Sequence, residues 1–161
     1  MGKGTEEARL DVMRAFPGLR YDEHFEVTSP INPNYNCIAW AYQIKERWMW
    51  PPAGQPIGHV LDAVTYWPDE NASTEVSQFM KAFSLKGYVK CDTPVFEDGF
   101  RKIALYVKPG TTECTHAARQ LSNGFWTSKL GRWYDIQHST PKDIEGRLYG
   151  VVYCYMKREF H

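Results

Sequence analysis

Cys37 and His116 are the two side chains whose types and positions in this sequence predict catalytic chemistry. Cys37 follows the sequence Asn34-Tyr35-Asn36, and either asparagine is a suitable N-cap for a helix that begins at the cysteine. A helix N-terminus favours a thiolate and supplies backbone N–H groups that stabilise an oxyanion. We therefore expect Cys37 to be a nucleophile, with Asn34 and Asn36 as oxyanion- or substrate-binding residues.

A cysteine nucleophile needs a general base within hydrogen-bonding reach, and His116 is the candidate for this role. It lies near the start of the segment THAARQL, which has the pattern of a sheet strand. A strand behind a helix N-terminus can hold an imidazole rigidly against a thiol. The pairing of Cys37 with His116 therefore predicts thiol chemistry, although either residue alone is more often structural.

Two residues are candidates for orienting the second ring nitrogen of His116, namely Asp135 and His138. If the Asn-Gly pair at 123–124 forms a two-residue hairpin turn, His116 lies opposite Gly131. The chain after Gly131 must then turn back for either candidate to reach the imidazole. A carboxylate also stabilises an imidazolium, which favours Asp135, and His138 stays open as the alternative.

Ser128 and Trp126 lie in the segment GFWTSKLG and are interpreted as substrate-binding residues. A Ser128–Lys129 catalytic pair is disfavoured, because adjacent residues of a strand point to opposite faces of the sheet. The aromatic residues near the Pro-rich segment are open to two interpretations, as walls of a substrate groove or as a cap on the fold. These residues are Trp48, Trp50 and Trp67.

The four cysteines show neither a CxxC motif nor the spacing of a disulfide framework, so we expect reduced thiols. The N-terminal segment is charged and amphipathic rather than a signal peptide, which predicts a cytoplasmic protein. A zinc site is considered and disfavoured because its candidate ligands lack tight spacing, so no metal or cofactor is expected. Those ligands would be Cys114, His116, His138 and Cys154.

The helices that must position these residues are predicted from apolar spacing. The first follows Thr5 as a cap, carries Leu10, Met13 and Phe16 on its apolar face, and stops at Pro17. The second covers CIAWAYQIKERW from residue 37, and the third covers 74–86 with Thr74 as its cap. The Pro- and Gly-rich residues 48–59 between these two helices are predicted to form a loop.

The second half of the sequence changes to the alternating pattern of strands. Because helices precede strands, we expect an α+β domain with N-terminal helices packed on one face of an antiparallel sheet. The single domain, 1–161, divides into a helix and turn (1–20), a helical part (37–86) and the sheet (87–158). The predicted strands cover 88–91, 102–107, 115–121, 125–130 and 150–157.

Composition excludes several classes of partner. The chain has 161 residues, 43% of them hydrophobic, which is enough for the core of one domain. Its 19 Lys and Arg balance 19 Asp and Glu, and no basic run occurs, so a nucleic-acid partner is not expected. No apolar stretch approaches the ~18 residues of a membrane span.

The segments YNCIAWA, THAARQL, GFWTSKLG, DIQH and LYG resemble a family of small bacterial proteins classified as a domain of unknown function. The resemblance extends over roughly residues 16–158. That family is similar in turn to the papain-like cysteine peptidases, amidases and acyltransferases. The resemblance implies a papain-like fold with Cys37 as nucleophile and His116 as general base.

The expected function is that of a cysteine-dependent hydrolase, a peptidase, amidase or deamidase that acts on a peptide- or amide-containing substrate by thiol acyl transfer. The alternative is a non-catalytic binding or immunity-type protein that has kept the fold and recognises a partner protein. The alternative predicts that Cys37 is buried and unreactive and that His116 does not face it.

Overall fold

The computed structural model describes residues 5–29, 35–43, 48–49, 65–66, 74–130 and 134–159. None of the helices in these ranges is long and apolar enough to cross a membrane. The α-helices are α1 (Thr5–Ala15), α2 (Cys37–Ala41) and α3 (Val76–Ser84), and 3-10 helices cover Pro17–Tyr21 and Pro141–Ile144. The strands are β1 (Glu26–Ser29), β2 (Trp48–Met49), β3 (Thr65–Tyr66), β4 (Val89–Cys91), β5 (Phe100–Val107), β6 (Cys114–Gln120), β7 (Trp126–Lys129), β8 (Asp135–His138) and β9 (Val151–Glu159).

Seven strands form one antiparallel sheet in the order β1-β8-β7-β6-β5-β9-β4, and β2 pairs with β3 in parallel. This arrangement confirms the mixed α+β class. The sheet is not a simple meander, because the last strand, β9, lies between β5 and β4. Strand β1, which comes first in the chain, pairs with β8 and forms the edge of the sheet opposite β4.

Both faces of the sheet are covered, so the prediction that helices pack on one face is wrong. Ile103 and Leu105 of β5 pack with residues of α2 and α3, whereas Ala104 and Tyr106 pack with residues of α1 and the 3-10 helices. Alternate residues of a strand point to opposite faces, so an apolar run such as that of β5 needs a layer on each side.

Helix α1 forms where it was predicted, but its apolar face is rotated. The buried side chains are Ala8, Val12 and Phe16, whereas Leu10 is 42% exposed and Met13 is only partly buried. Two neighbouring stripes of the helix carry apolar residues at helical spacing, and the short Ala8 side chain lets one of them lie close to the sheet. Tertiary packing therefore chooses between the two stripes.

Helix α2 is shorter than predicted. The helix ends at Ala41, and Gln43 adopts a φ of 69°, which stops a right-handed helix; residues 44–47 lie outside the described residues. Trp48 and Met49, placed in a loop by the sequence, belong to strand β2 instead.

The N-terminus of α3 also differs from the prediction. Its N-cap is Glu75, not Thr74, because the Thr74 carbonyl accepts a hydrogen bond from the Cys114 N–H at 2.8 Å. The Val76 N–H donates to the carbonyl of Thr112 at 2.8 Å. Because the Thr74 carbonyl and the Val76 N–H are both bonded to the chain around β6, the cap lies one residue later than predicted.

The hairpin between β6 and β7 has a three-residue loop, so the predicted two-residue turn is wrong by one position. The Leu121 N–H donates to the Phe125 carbonyl at 2.7 Å, and Arg119 lies opposite Thr127. The Asn123 side chain accepts from the Phe125 N–H at 2.9 Å, which stabilises the longer loop. A shift of one residue changes which side chains of β7 share a face with His116.

Replacing Gly150 should destabilise the protein far more than replacing Gly87. Both have positive φ, 78° and 98°, but a Cβ at Gly150 would lie 2.1 Å from the Val107 carbonyl oxygen, while a Cβ at Gly87 meets nothing within 4 Å. We expect Gly150→Ala to lower the free energy of unfolding by about 2–5 kcal/mol and Gly87→Ala by about 1–2 kcal/mol. Urea denaturation of both variants measures this, and equal losses would contradict it.

Candidate functional site

Cys37 is the first residue of α2, directly after the N-cap. The Asn36 side-chain oxygen accepts a hydrogen bond from the Ala39 N–H at 3.1 Å, so Asn36 caps the helix as the sequence predicted. The side-chain oxygen of Asn36 is therefore already bonded to the backbone of the first helical turn. The other candidate from this segment, Asn34, lies outside the described residues.

The Cys37 thiol is only 5% exposed, and burial raises its pKa to about 11. Hydrogen bonds from the backbone N–H groups of Ala117, Ile38 and Cys37 itself, and the charge of Lys129, oppose this shift but do not outweigh it. The expectation that the helix start produces a thiolate is therefore wrong for this state of the protein. The reason is that α2 has one short turn, whereas desolvation of the sulfur is complete.

The Ala117 N–H reaches the Cys37 sulfur because β6 and β7 diverge. Their pairing begins at the hairpin and ends at Arg119 opposite Thr127. Beyond that point α2 packs against both strands. The nucleophile candidate thus lies at the edge of β6, against the residue that directly follows His116.

His116 is fully buried and belongs to a chain of side-chain hydrogen bonds. Its Nε2 lies 3.0 Å from Ser128 Oγ, and Ser128 Oγ lies 2.9 Å from His138 Nε2. His138 Nδ1 lies 2.8 Å from the carbonyl oxygen of Thr140. Three strands, β6, β7 and β8, each contribute one member, and all three side chains project from the face of the sheet that α1 covers.

The direction of every proton in this chain follows from its last acceptor. The Thr140 carbonyl can only accept, so His138 carries its proton on Nδ1, and its Nε2 accepts from the Ser128 hydroxyl. The Ser128 oxygen then accepts from His116 Nε2–H. His116 is therefore left with a lone pair on Nδ1, and this buried atom makes no hydrogen bond with any described residue, Cys37 included.

Burial keeps both histidines neutral. It lowers the pKa of His138 to about 4, although the Thr140 carbonyl and the charge of Asp22 act in the opposite direction. Burial, and to a lesser extent the electrostatic interaction with His138, lower the pKa of His116 well below its usual value. Near neutral pH the site therefore contains a neutral imidazole with one basic nitrogen that has no partner.

Tyr149 links the surroundings of His116 and Cys37. Its ring stacks on the His116 ring at a centroid distance of 3.9 Å and an angle of 9°. Burial and the nearby Cys37 raise the pKa of the Tyr149 hydroxyl. Tyr106 also contacts the imidazole, edge-on at a centroid distance of 5.1 Å, so two tyrosine rings pack against His116.

Of the two candidates for orienting His116, the structure joins His138 to it through Ser128. Asp135 instead accepts a hydrogen bond from the Tyr35 hydroxyl at 2.7 Å and lies across the ladder from Lys129. The bridging role of Ser128 was missed from the sequence. The correct hairpin register would have indicated it, because that register puts Ser128 on the same face as His116.

The other predicted binding residues are enclosed rather than displayed on a surface. Ser128 is fully buried between the two histidines, and Trp126 is buried in the core beside Ile136 and Ala118. Within the described ranges, no group of three or more His, Cys, Asp or Glu residues is arranged to hold a metal ion. The side chains of Trp48, Trp50 and Trp67 lie outside the described residues.

A pair of carboxyl groups lies beside the His138 end of the hydrogen-bonded chain. Asp22 accepts from the Ser139 N–H and from the Ser139 hydroxyl, both at 2.6 Å, and also bonds to Asp143. Burial raises the pKa of Asp22, but its hydrogen bonds outweigh burial and hold that pKa at about 2. Burial and the bond to Asp22 raise the pKa of Asp143 to about 6, so the two carboxyls share one proton.

Residues 26–157, which include the thiol and the whole histidine chain, match the family described as Domain of unknown function (DUF7689). The chain belongs to this family. The expected resemblance to a domain of unknown function is thus confirmed over most of its length. No curated protein and no solved structure matches the chain, so its function is argued from the site itself.

Ser128→Ala should disrupt the histidine chain. It leaves the His116 Nε2–H and the His138 Nε2 lone pair without partners, at a cost of about 1–3 kcal/mol for each unpaired group. Urea denaturation should show this loss, and the matched variant Ser122→Ala, in the exposed hairpin loop, should change stability by less than about 0.5 kcal/mol. Nitrogen NMR of the wild type should show the His116 Nε2–H tautomer; the Nδ1–H tautomer would contradict the proposed chain.

The carboxyl pair predicts a specific dependence of stability on pH. The pKa of Asp143, about 6, lies above its value of 3.8 in the unfolded chain, so its stabilising contribution is complete below pH 3.8 and is lost as pH rises through 6. The lowered pKa of Asp22 makes stability depend on pH only below about pH 3.8, so it does not contribute to the change between pH 4 and pH 7. Between pH 4 and pH 7 the contribution of the pair should therefore fall.

Asp143→Asn isolates this effect from the buried histidines, whose lowered pKa values make stability rise with pH in the same range. The difference in unfolding free energy between wild type and Asp143→Asn should decrease from pH 4.5 to pH 7. Asp98→Asn, in an exposed turn, serves as the control. A difference that is constant or increases with pH would show that the carboxyls do not share a proton.

Proposed function

We propose that the protein is a cysteine-dependent hydrolase that acts on an amide-type bond by thiol acyl transfer, with a papain-like division of roles. Cys37 is the nucleophile and His116 is the general base. His138, acting through Ser128, is the positioning residue for the imidazole. The substrate class is a peptide or another amide, and the reaction is that of a peptidase, amidase or deamidase.

The observation that carries the proposal is the unpartnered Nδ1 of His116, fully buried beside the strand residue that contacts the thiol. A buried acceptor without a partner costs about 1–3 kcal/mol, and a histidine with a purely structural role normally satisfies both nitrogens. The hydrogen bonds through Ser128 and His138 fix the proton of His116 on Nε2, so the unpartnered Nδ1 is the nitrogen that can accept a proton. A fixed, neutral imidazole with a free lone pair can accept a proton from a group brought into contact with it.

In the proposed reaction, the Cys37 proton moves to His116 Nδ1 as the sulfur forms a bond to the substrate carbonyl carbon. The backbone N–H groups of Cys37 and Ile38, which face the sulfur in the resting protein, stabilise the oxyanion. The protonated His116 gives its proton to the leaving amine as the carbon–nitrogen bond breaks. Water, deprotonated by His116, then cleaves the thioester and restores the thiol.

The resting site is closed and uncharged, which sets a condition on this mechanism. Cys37 is 5% exposed and makes no hydrogen bond with His116 Nδ1. Substrate binding must therefore expose the sulfur and bring it into contact with the imidazole. Tyr149 stacks on His116 and lies near Cys37, so its displacement is the movement that would open the site.

The second candidate is a non-catalytic binding or immunity-type protein, and the burial of Cys37 favours it. A thiol with a pKa of about 11 in a closed core is protonated at neutral pH and behaves as a small hydrophobic side chain. In that case the His116 chain orders the sheet, and a partner protein is recognised elsewhere on the surface.

Alkylation by iodoacetamide at pH 7, followed by peptide mapping, separates the two functions. The hydrolase predicts that local opening at Tyr149 lets Cys37 react in the folded protein faster than global unfolding allows, and the partly exposed Cys91 is the internal reference. We expect His116→Gln to slow Cys37 by about 100-fold without changing Cys91. The control is His24→Gln, which alters an exposed histidine.

The opposite outcome is equally specific. If Cys37 reacts only at the rate of global unfolding, measured in parallel by hydrogen exchange, the hydrolase proposal is wrong. The wild-type comparison of the Cys37 alkylation rate with the unfolding rate decides this even if His116→Gln does not fold. A substrate-directed probe with an amide-like electrophile should label Cys37, and Cys37→Ala should abolish that labelling.

A further inference from the structure

Four positive side chains converge on the face of the sheet that α2 and α3 cover, and we call them the cationic cluster: Lys86, Arg101, Arg119 and Arg158. Arg101 and Arg158 lie directly opposite each other on β5 and β9. Arg119 of β6 lies opposite Ile103, two residues along β5 from Arg101, so the three arginines share one face. Like charges opposite each other destabilise a sheet, so this arrangement needs a reason.

The four groups are close enough to affect one another electrostatically. Burial and then the charges of Arg158 and Arg119 lower the pKa of Lys86. Burial and the charge of Arg101 lower the pKa of Arg119, with a partial offset from the charge of Asp135.

Aromatic rings hold these cations without neutralising them. Lys86 lies over the Tyr42 ring at 4.4 Å, and Arg119 lies over the Trp40 ring at 4.3 Å. Arg158 lies over the Tyr88 ring at 5.6 Å. In the part of the chain that the structure describes, neither Arg119 nor Arg158 forms an ion pair with a carboxylate.

Part of the hydrogen-bonding capacity of the cluster is unused. The Nε atoms of Arg119 and Arg158 are buried and make no hydrogen bond among the described residues. A cavity of about 410 Å³ lies beside the cluster, lined by Lys86, Arg158 and Phe100 together with Gly87, Val89, Lys157 and Glu159. Arg158 therefore combines a charge without an ion pair among the described residues, an unpaired donor and a position on the cavity wall, with Arg119 on the same face of the sheet.

We propose that the cationic cluster binds a phosphoryl group, either inorganic phosphate or the phosphate of a small phosphomonoester. Guanidinium groups match the oxygens of phosphate with paired, charge-assisted hydrogen bonds. A doubly charged oxyanion offsets several converging cations, whereas a monocarboxylate leaves most of their repulsion in place. This site is formed by residues other than Cys37 and His116, so the proposal does not rest on the thiol chemistry.

Thermal unfolding of the full chain, measured at constant ionic strength, tests the proposal with four probes: inorganic phosphate, glycerol 3-phosphate, acetate and a thymidine decamer. We expect phosphate to raise the unfolding midpoint with a saturable dependence on concentration, and acetate to have no such effect. Tighter binding of glycerol 3-phosphate than of phosphate would identify the phosphomonoester as the source. Stabilisation by acetate equal to that by phosphate, or by the decamer alone, would overturn the proposal.

The variants Arg119→Gln and Arg158→Gln should each weaken phosphate binding at least 10-fold, whereas Arg147→Gln, at an exposed turn, should bind as the wild type does. Unchanged binding by both cluster variants would overturn the proposal. If they do not fold, phenylglyoxal modification of the wild type replaces them. Phosphate should then slow the modification of Arg119 and Arg158 but not of Arg147, and equal rates with and without phosphate would overturn the proposal.

Discussion

Strand β5 contributes buried side chains to both faces of the sheet, and the rest of the structure depends on this two-sided burial. Ile103 and Leu105 require the layer of α2 and α3, and Ala104 and Tyr106 require the layer of α1 and the 3-10 helices. With strands β6 and β9 on either side, β5 is the centre from which both layers are positioned. The thiol lies in one layer, and the histidine chain extends into the other.

The candidate site depends on the divergence of β6 and β7 beyond Arg119. If the two strands had stayed paired, the Ala117 N–H would be unavailable to the Cys37 sulfur. Burial then acts on the two groups in opposite directions, since it raises the pKa of the thiol and lowers the pKa of the imidazole. Both shifts favour the neutral pair, so the proposed reaction requires substrate binding to bring about charge separation.

The side chains of the cationic cluster have different surroundings from those of the histidine chain. The cluster lies on the face of the sheet that α2 covers. Aromatic faces lie against Arg119 and Arg158, and a cavity lies beside Arg158. Burial instead lowers the pKa values of the two imidazoles in the histidine chain, which are therefore neutral. The protein thus contains a buried, neutral histidine chain and a half-buried cationic cluster on opposite faces of one sheet.

The sequence by itself determined the α+β class, the position of α1 and the cap at Asn36, because these follow from local spacing and turn chemistry. Tertiary structure decided the face of α1 that is buried, since two helical stripes were apolar and only one fits the sheet. It also decided that His138 rather than Asp135 is joined to His116, because a hairpin loop longer by one residue moves Ser128 between the two histidines. Register and burial are long-range properties, and local sequence patterns do not contain them.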